Sequence, residues 1–600
     1  MQNTADPTLD STSAQNLHEK KHVEASEASS LGRDAENRGM KEAVRRHDQE
    51  LVEAGNSVDD SNDAPVEPED ESKYLSGFKL GILTLGLCLT TFVIALDNTI
   101  IATALPKITT VFDSLGDVGW YGSSYLLTTT SLQPSFGKIY TYFDIKYTYL
   151  IAVVIFEAGS VICAAATSSP MFIVGRAVAG AGSAALFSGG MNIIGYSVPL
   201  QKRPIYIAAL SSMFGIASVV GPILGGVLTD KARYVSRRLN TGHFTDLFSV
   251  HSWRWCFWIN LPFGGISIAV VFFFFANPAR QYSHMSVKER IKQIDILGAA
   301  FLISAIVSLL LALQWGGTTY AWSSSKVWGT LLGFVLIIAV FIVMQFRQKD
   351  RATIPLRVFK QRTILVSCVF SALLSGALYT HLFYLPFYFQ ASKGTSAEES
   401  GIRIIAYLVS MTIASIVVGG AVTKIGYYSP FCWFGSALFT IGAGLLYTLK
   451  VESPHGVWIG FQVLTGFGMG SCVQIPFIAV QVVASQKDMP TANALVMFFN
   501  SLGGAISISI AQNIFVNSLE REVPKHAPGL DPRIVLGAGA TFVRKVVPTA
   551  MLEGVLVAYT SAIVSAFVLA IALGCLSFFA SLTLEWKSVK GKNLMGGGGS

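Results

Sequence analysis

The sequence predicts an all-α membrane protein of about fourteen transmembrane helices, arranged as two six-helix bundles with two more helices inserted between them. Three observations predict it. More than half of the 600 residues are hydrophobic and only 14% are charged, which lies outside the range of soluble domains. Apolar stretches recur that are each long enough to cross about 30 Å of hydrocarbon as a helix. Glycine-bearing segments also repeat eight spans apart, the signature of an internally duplicated membrane protein.

Charge divides the chain. Residues 1–77 carry 18 of the 37 acidic and 8 of the 44 basic residues. This polar segment has almost no aromatic side chains and cannot bury enough apolar surface to offset its ordering entropy, so a disordered acidic tail is expected. No apolar stretch follows Met1 closely, and the first span is expected to act as the insertion signal.

The spans fall near 80–104, 119–139, 148–167, 171–195, 205–229, 254–276, 295–314, 327–347, 363–388, 401–422, 430–449, 456–484, 491–515 and 555–580. An even number puts both termini on one side. Lys138 and Lys146, Lys202 and Arg203, Arg280 to Lys292, and Arg347 to Arg362 then collect on that side, which the positive-inside rule makes the cytoplasm. The expected units are the tail 1–77, a first bundle 78–280, two linker helices within 281–362, a second bundle 363–585, and a cytoplasmic stub 586–600 that ends in a linker-like GGGGS. Two long outside segments stand apart. Residues 516–554, with Pro524, Pro528 and Pro532, read as an external loop. Residues 231–251 are unusually basic for that side and read either as an external hairpin or as an unspliced insertion.

The repeat is visible in the residues. Gly137-Lys138 after span two is matched by Gly419-Gly420 after span ten, and Arg176-x-x-x-Gly180-x-Gly182 in span four by Gln462-x-x-x-Gly466-x-Gly468 in span twelve. Span one carries Asp97 within Leu96-Asp97-Asn98-Thr99-Ile100-Ile101, where a carboxylate costs about 2.5–3.5 kcal/mol at the bilayer centre and is normally functional or paired. Span five carries Gly221-Pro222 and Gly225-Gly226, small residues and a proline that permit a bend and a close helix neighbour.

These runs, with Trp253-Arg254-Trp255, Leu313-Gln314-Trp315-Gly316-Gly317 and Ser400-Gly401-Ile402-Arg403, together resemble the major facilitator superfamily. Within it they are most similar to the fourteen-span drug:proton antiporter branch of fungal type, over about 78–585. The resemblance implies a proton-coupled exporter of toxic metabolites or drugs in the plasma membrane. A vacuolar or siderophore-related transporter is the alternative. The loop motif departs from the family, with Thr141 for its acidic residue and Asp144-Ile145 for glycine and arginine.

Candidate roles follow. Asp97, Arg176 and Glu157 are the proton-coupling group; for Asp97 a carboxylate satisfied by its neighbours, for Arg176 a cation reaching to the interface, and for Glu157 a structural hydrogen bond are the alternatives. Asp97 lies roughly 25 Å along span one at 1.5 Å per residue, a depth that Arg176 shares on span four. Gly221, Pro222, Gly225 and Gly226 are packing positions, and Gly137, Lys138, Asp144 and Lys146 form a cytoplasmic gating loop. Asn98, Gln133, Tyr384, Phe387, Gln462 and Gln474 are substrate-cavity candidates, although the aromatic stretch around Tyr384 reads equally as an interfacial belt.

A non-transporting membrane sensor is a further alternative, which a long cytoplasmic signalling tail would favour; an ATP-driven pump and a membrane enzyme find no support. No phosphate-cradling loop is present, no cluster has catalytic or metal spacing, and the seven scattered cysteines suggest neither metal nor disulfides. No cofactor and no nucleic acid are expected. The expected partners are a small-molecule substrate, protons and the lipid bilayer, acting on a monomer.

Overall fold

A computed structural model describes residues 74–112, 114, 117–230, 253–278, 285–317 and 320–590. The tail before Tyr74 and the 231–251 segment lie outside them. Fourteen long helices follow in order: α1 Gly77–Phe112, α2 Val118–Tyr142, α3 Ile145–Ala165, α4 Ser169–Ser197 and α5 Arg203–Asp230; α6 Trp255–Phe274, broken at Ile259; α7 Ile296–Trp315, α8 Ser325–Gln348, α9 Arg362–Ala391, α10 Ile405–Ile425 and α11 Ser429–Tyr447; α12 His455–Val483, interrupted before Pro476; α13 Met489–His526 and α14 Thr549–Leu582.

Thirteen helices among the described residues are long and apolar enough to cross a membrane. The remaining one, α2, has 25 residues but carries Thr128, Thr129, Thr130, Ser131, Gln133 and Ser135. It can be this polar because it packs against α4, α7 and α13, which screen it from lipid. Thr129, for example, donates to the Gly180 carbonyl at 3.0 Å. A hydroxyl with a partner costs little in an apolar medium, whereas one without costs several kcal/mol.

The packing of the first six helices is repeated in the last six. The pairs α1–α5, α1–α6, α2–α4, α3–α4 and α3–α6 reappear as α9–α13, α9–α14, α10–α12, α11–α12 and α11–α14. Small residues set these contacts. A Cβ on Gly180 would strike the Tyr125 carbonyl and one on Gly466 the Tyr407 carbonyl; Gly182 meets Phe156 as Gly468 meets Phe439, and Gly264 meets Glu157 as Gly574 meets Thr440. Lipid tails are as apolar as leucine, so helices associate by such close packing rather than by escape from water.

The bundles meet along α2–α13 and α5–α10, a pair of interfaces that the repeat exchanges. Helices α7 and α8 pack as a hairpin, with α7 against α2 and α13. The hairpin is locked by Asp295, a buried carboxylate that accepts from the Gly298 amide at 2.6 Å, Gln345 at 3.0 Å, Gln348 at 2.8 Å and the Thr353 hydroxyl at 3.1 Å.

The 516–554 stretch is more ordered than a polar loop. The last turns of α13 continue through Pro524 to His526, and Pro532–Val546 forms a helix that buries Val535, Ala540 and Val543. Arg544 fastens it to the end of α9 through the carbonyls of Ala391 at 3.0 Å and Ser392 at 2.7 Å.

Candidate functional site

Two features dominate the interior. One is a cavity of about 350 Å³ between the bundles. The other is an ion pair immediately behind its wall.

The cavity inherits the repeat. On α1 it is faced by Ala95, Asn98 and Thr99, and on α9 by Tyr379, Leu382 and Phe383 at the same spacing; on α5 by Ser211, Phe214 and Gly215, and on α13 by Met497, Asn500 and Ser501. Leu126 on α2 is answered by Leu408 on α10, and Phe187 on α4 by Val473 on α12. The first bundle therefore offers mostly small and polar groups, and the second mostly bulky apolar ones. Among the described residues no lining side chain carries a charge.

Of the residues expected in this cavity, Asn98 lines it and Gln133 reaches its edge, donating to Ser501 at 3.3 Å. The other four do not line it. Phe387 lies one turn beyond the lining residue Phe383, their ring centroids 5.5 Å apart, and Tyr384 turns away to pack against Phe515 of α13 with centroids 5.5 Å apart. Gln474 is held by Ser415 on α10, accepting from its hydroxyl and donating to its carbonyl, both at 2.8 Å. Gln462 is fully buried inside the second bundle. A polar residue in an apolar helix announces a polar contact, but the sequence does not say with which neighbour.

Asp97 and Arg176 are brought together as a salt bridge with both side chains at most 1% exposed. Arg176 also donates from Nε to the Tyr121 carbonyl at 3.0 Å and lies over the Tyr125 ring, 4.4 Å from its centroid. The second Asp97 oxygen accepts from Asn260 of α6 at 3.3 Å, and Asn260 in turn donates to Ser160 of α3 at 3.1 Å. Tyr121 continues outward: its hydroxyl donates to Ser169 at 2.8 Å, and Ser169 to Asp117 at the rim at 2.5 Å. Five helices of the first bundle thus converge on one carboxylate. Asn260, Tyr121, Tyr125 and Ser160 escaped sequence reading because hydroxyls and amides are common in membrane helices.

Glu157 is not part of this network. Neither of its carboxylate oxygens has a hydrogen-bond partner, and it sits against Gly264 of α6, one turn from Asn260.

Gly221 brings α5 onto α1. A Cβ there would overlap Thr99, whose hydroxyl donates to the Ala217 carbonyl at 3.2 Å. Gly225 is buried on the same helix; Pro222 and Gly226 lie within α5, with their surroundings outside the described side chains. Because Thr99 is two residues from Asp97, Gly221→Leu is expected to displace the helix that carries the carboxylate, at about 1–3 kcal/mol of overpacking. Transport should be abolished in protein that still reaches the membrane, measured as efflux at matched surface expression.

The expected gating loop is corrected. Gly137 and Lys138 lie inside α2, Lys146 inside α3, and only Phe143 and Asp144 connect them. Helix α2 runs on because Ile139 and Tyr140 remain packed, Tyr140 donating to the Ala185 carbonyl at 3.1 Å. Gly137 is instead a contact between the bundles: a Cβ there would fall 2.7 Å from Ala494 Cβ, as one on Gly419 would fall 2.5 Å from Ala208 Cβ. Asp144 accepts from Asn277 at 2.7 Å, which ties α3 to the end of α6, and Lys146 lies 5.1 Å from the centroid of Phe272.

On this side, where α1 begins, several bonds join the bundles. Asn493 donates to Asn192 at 2.8 Å, Tyr196 to the Gln486 carbonyl at 2.8 Å, and Lys138 to the Asp350 carbonyl beyond α8 at 2.6 Å. Arg357, ahead of α9, grips Asp488 at the start of α13 through two bonds of 2.9 and 2.7 Å. Burial alone would raise the Asp488 carboxyl, but the Arg357 and Ser485 bonds hold it below the usual carboxylate range. A depressed carboxylate keeps its contact above the unfolded value and loses it only as pH falls through the lowered one. The Arg357–Asp488 clamp should therefore be unchanged between pH 5 and 8. Asn493→Ala, which removes the bond to Asn192 across the bundles, is expected to raise the fraction open on this side several-fold at any such pH. Spin-label distances between positions 196 and 486 would show it.

Among the described residues no three His, Cys, Asp or Glu side chains gather as a metal site. Duplicated bundles around a central cavity, with an ion pair behind its wall, define a membrane transporter. Residues 87–508 match the family model of the Major Facilitator Superfamily, and the chain belongs to that family. Its relatives include the MFS-type efflux pump MFS1 of Trichophyton rubrum, 44% identical over 534 residues that cover 89% of this chain and 96% of that protein. Efflux pump roqT of Penicillium rubens is 44% identical over 511 residues, covering 85% and 91%. Among solved structures, the human organic anion transporter MFSD10 aligns with a TM-score of 0.52 at 14% identity, over 84% of this chain and 100% of that one. A double tryptophan mutant of XylE aligns equally well, over 86% and 98%. At that identity the two structures speak for the fold alone.

Proposed function

We propose that the protein is a proton-coupled exporter of uncharged organic molecules, such as toxic secondary metabolites or drugs. It would sit in the plasma membrane with both termini in the cytoplasm and act as a monomer. The efflux function named for the MFS1 and roqT relatives supports this reading. The observation that carries it is the position of Asp97. The carboxylate is buried against Arg176, while the next residue, Asn98, faces the cavity. A change of charge at Asp97 is therefore felt on the same helix turn that touches substrate.

The bonds between Asn192 and Asn493 and between Tyr196 and the Gln486 carbonyl hold the bundles together on the cytoplasmic side in this arrangement. A proton that reaches Asp97 from the outside neutralises it and releases Arg176. The guanidinium keeps the Tyr121 carbonyl and the Tyr125 ring, so it remains solvated by the protein when its anion is lost. The loss of attraction between α1 and α4 biases the bundles toward the inward-open arrangement. Substrate then enters from the cytoplasm and the proton leaves to it. The restored ion pair favours return.

The absence of charge in the lining selects the substrate class. A fixed charge on a ligand would have no counter-charge in the cavity, whereas Phe187, Phe214, Phe477 and Phe383 suit flat apolar rings and Asn98, Asn500 and Ser501 suit a few hydrogen bonds. Phe214→Ala and Phe477→Ala should each raise the KM for a neutral aromatic substrate by about 5- to 30-fold, the equivalent of 1–2 kcal/mol of lost contact. Efflux assays in a pump-deficient yeast, with neutral and permanently cationic toxins compared, test this. Preference for the cations would refute the uncharged-substrate reading.

A further inference from the structure

The repeat extends behind the cavity wall. Aligning Ala95, Asn98 and Thr99 of α1 with Tyr379, Leu382 and Phe383 of α9 places Asp97 on His381. The matched glycines Gly180 and Gly466 place Arg176 on Gln462, and their contacts with the carbonyls of Tyr125 and Tyr407 place Tyr125 on Tyr407. The second bundle thus holds a neutral version of the same cluster. His381, Gln462 and Tyr407 are each fully buried. Both imidazole nitrogens, both polar atoms of the Gln462 amide and the Tyr407 hydroxyl have no hydrogen-bond partner. Three such atoms on the adjoining His381 and Tyr407 rings, with two more on Gln462 at the position matched to Arg176, are unusual, since buried polar groups are otherwise nearly always paired. The rings of Tyr407, Phe439 and Phe567 stand 6.2, 5.6 and 5.1 Å from the imidazole centroid.

We propose that His381 is a second proton-binding group of the transporter, occupying in the second bundle the position that Asp97 holds in the first; this rests on the proton-coupled reading above. A neutral imidazole has one donor and one acceptor, and the protonated ring has two donors. Gln462 Oε1 and the Tyr407 oxygen supply two acceptors for them, and three aromatic faces add cation–π stabilisation. The groups facing His381 are Tyr407 from α10, Phe439 from α11, Phe567 from α14 and, by the repeat, Gln462 from α12. Of these only Tyr407 titrates, and none is a carboxylate. The cation is therefore held weakly, as an exchanging proton requires. Leu378 and Leu382, three residues before and one after His381, line the cavity, so substrate and proton share α9 as they share α1.

The test is thermodynamic. Purified full-length protein in liposomes is given a fixed gradient of a neutral substrate, and the pH gradient at which net flux reverses yields the protons moved per substrate. A structural residue alters the rate of approach but not this ratio. Removing one of two sites in His381→Asn, or in His381→Phe where the aromatic box is filled instead, should lower the ratio about two-fold. An unchanged ratio in either variant, at whatever rate, overturns the role of His381 and leaves Asp97 untouched. A wild-type reversal point indifferent to pH would instead overturn proton coupling as a whole.

Discussion

In Asp97→Asn, uphill export is expected to fall by about 100-fold or more, equivalent to about 2.7 kcal/mol, in protein that still reaches the membrane and binds substrate. The substitution changes shape very little. Asparagine keeps a carbonyl for the Asn260 amide but turns an amide toward Arg176, so the guanidinium loses its anion permanently. The helices are then held as though the proton were always bound, and release to the cytoplasm has no counterpart. Downhill leak and substrate binding should survive, because Asn98, Phe214 and the rest of the lining are unaltered.

Arg176→Ala is expected to act from the other side and to cost more in stability. It strands a fully buried carboxylate, and removing one member of such a pair typically costs about 3–5 kcal/mol. Asp97 would escape that cost by keeping its proton, so the variant should be uncoupled as well as poorly expressed. The double variant Asp97→Asn with Arg176→Gln removes both charges together, as His381 and Gln462 do in the second bundle. It should recover most of the wild-type thermal stability in detergent while remaining uncoupled. The failure of the two single effects to add would measure the pair itself. Additive losses would show that Asp97 and Arg176 do not act as a unit.

The ion pair was legible because opposite charges inside two apolar runs at similar depth have little else to do. The span count was legible from apolar length for all fourteen helices, although α2, with its run of hydroxyls, falls short of the stricter apolarity that the other thirteen meet among the described residues. The cavity was not legible. Its wall draws one to five residues from each of eight helices, and only the folded repeat shows that Ala95 and Tyr379, or Phe214 and Asn500, are counterparts. Gln462 and Gln474 looked like lining residues because a glutamine in a membrane helix must satisfy its amide somewhere. Gln474 does so against Ser415 instead. His381 lay within the aromatic stretch read as cavity or belt, and its burial between α10, α11 and α14 depends on contacts that no local pattern reports. The gating loop was misplaced for a simpler reason, since Gly137-Lys138 resembles a helix end yet is followed by residues that continue packing.

The central claim is that a proton at Asp97 drives the export of an uncharged molecule. Purified protein in liposomes, with a fluorescent neutral aromatic substrate and a pH dye on opposite sides, reports both fluxes at once. The wild type should move substrate against its gradient only while protons enter in exchange, and in the Asp97→Asn protein uphill movement and the accompanying proton entry should both fall by about 100-fold or more. Wild-type export that persists after the proton gradient is collapsed, or Asp97→Asn transport uphill at the wild-type rate with an unaltered pH dependence, would contradict the account.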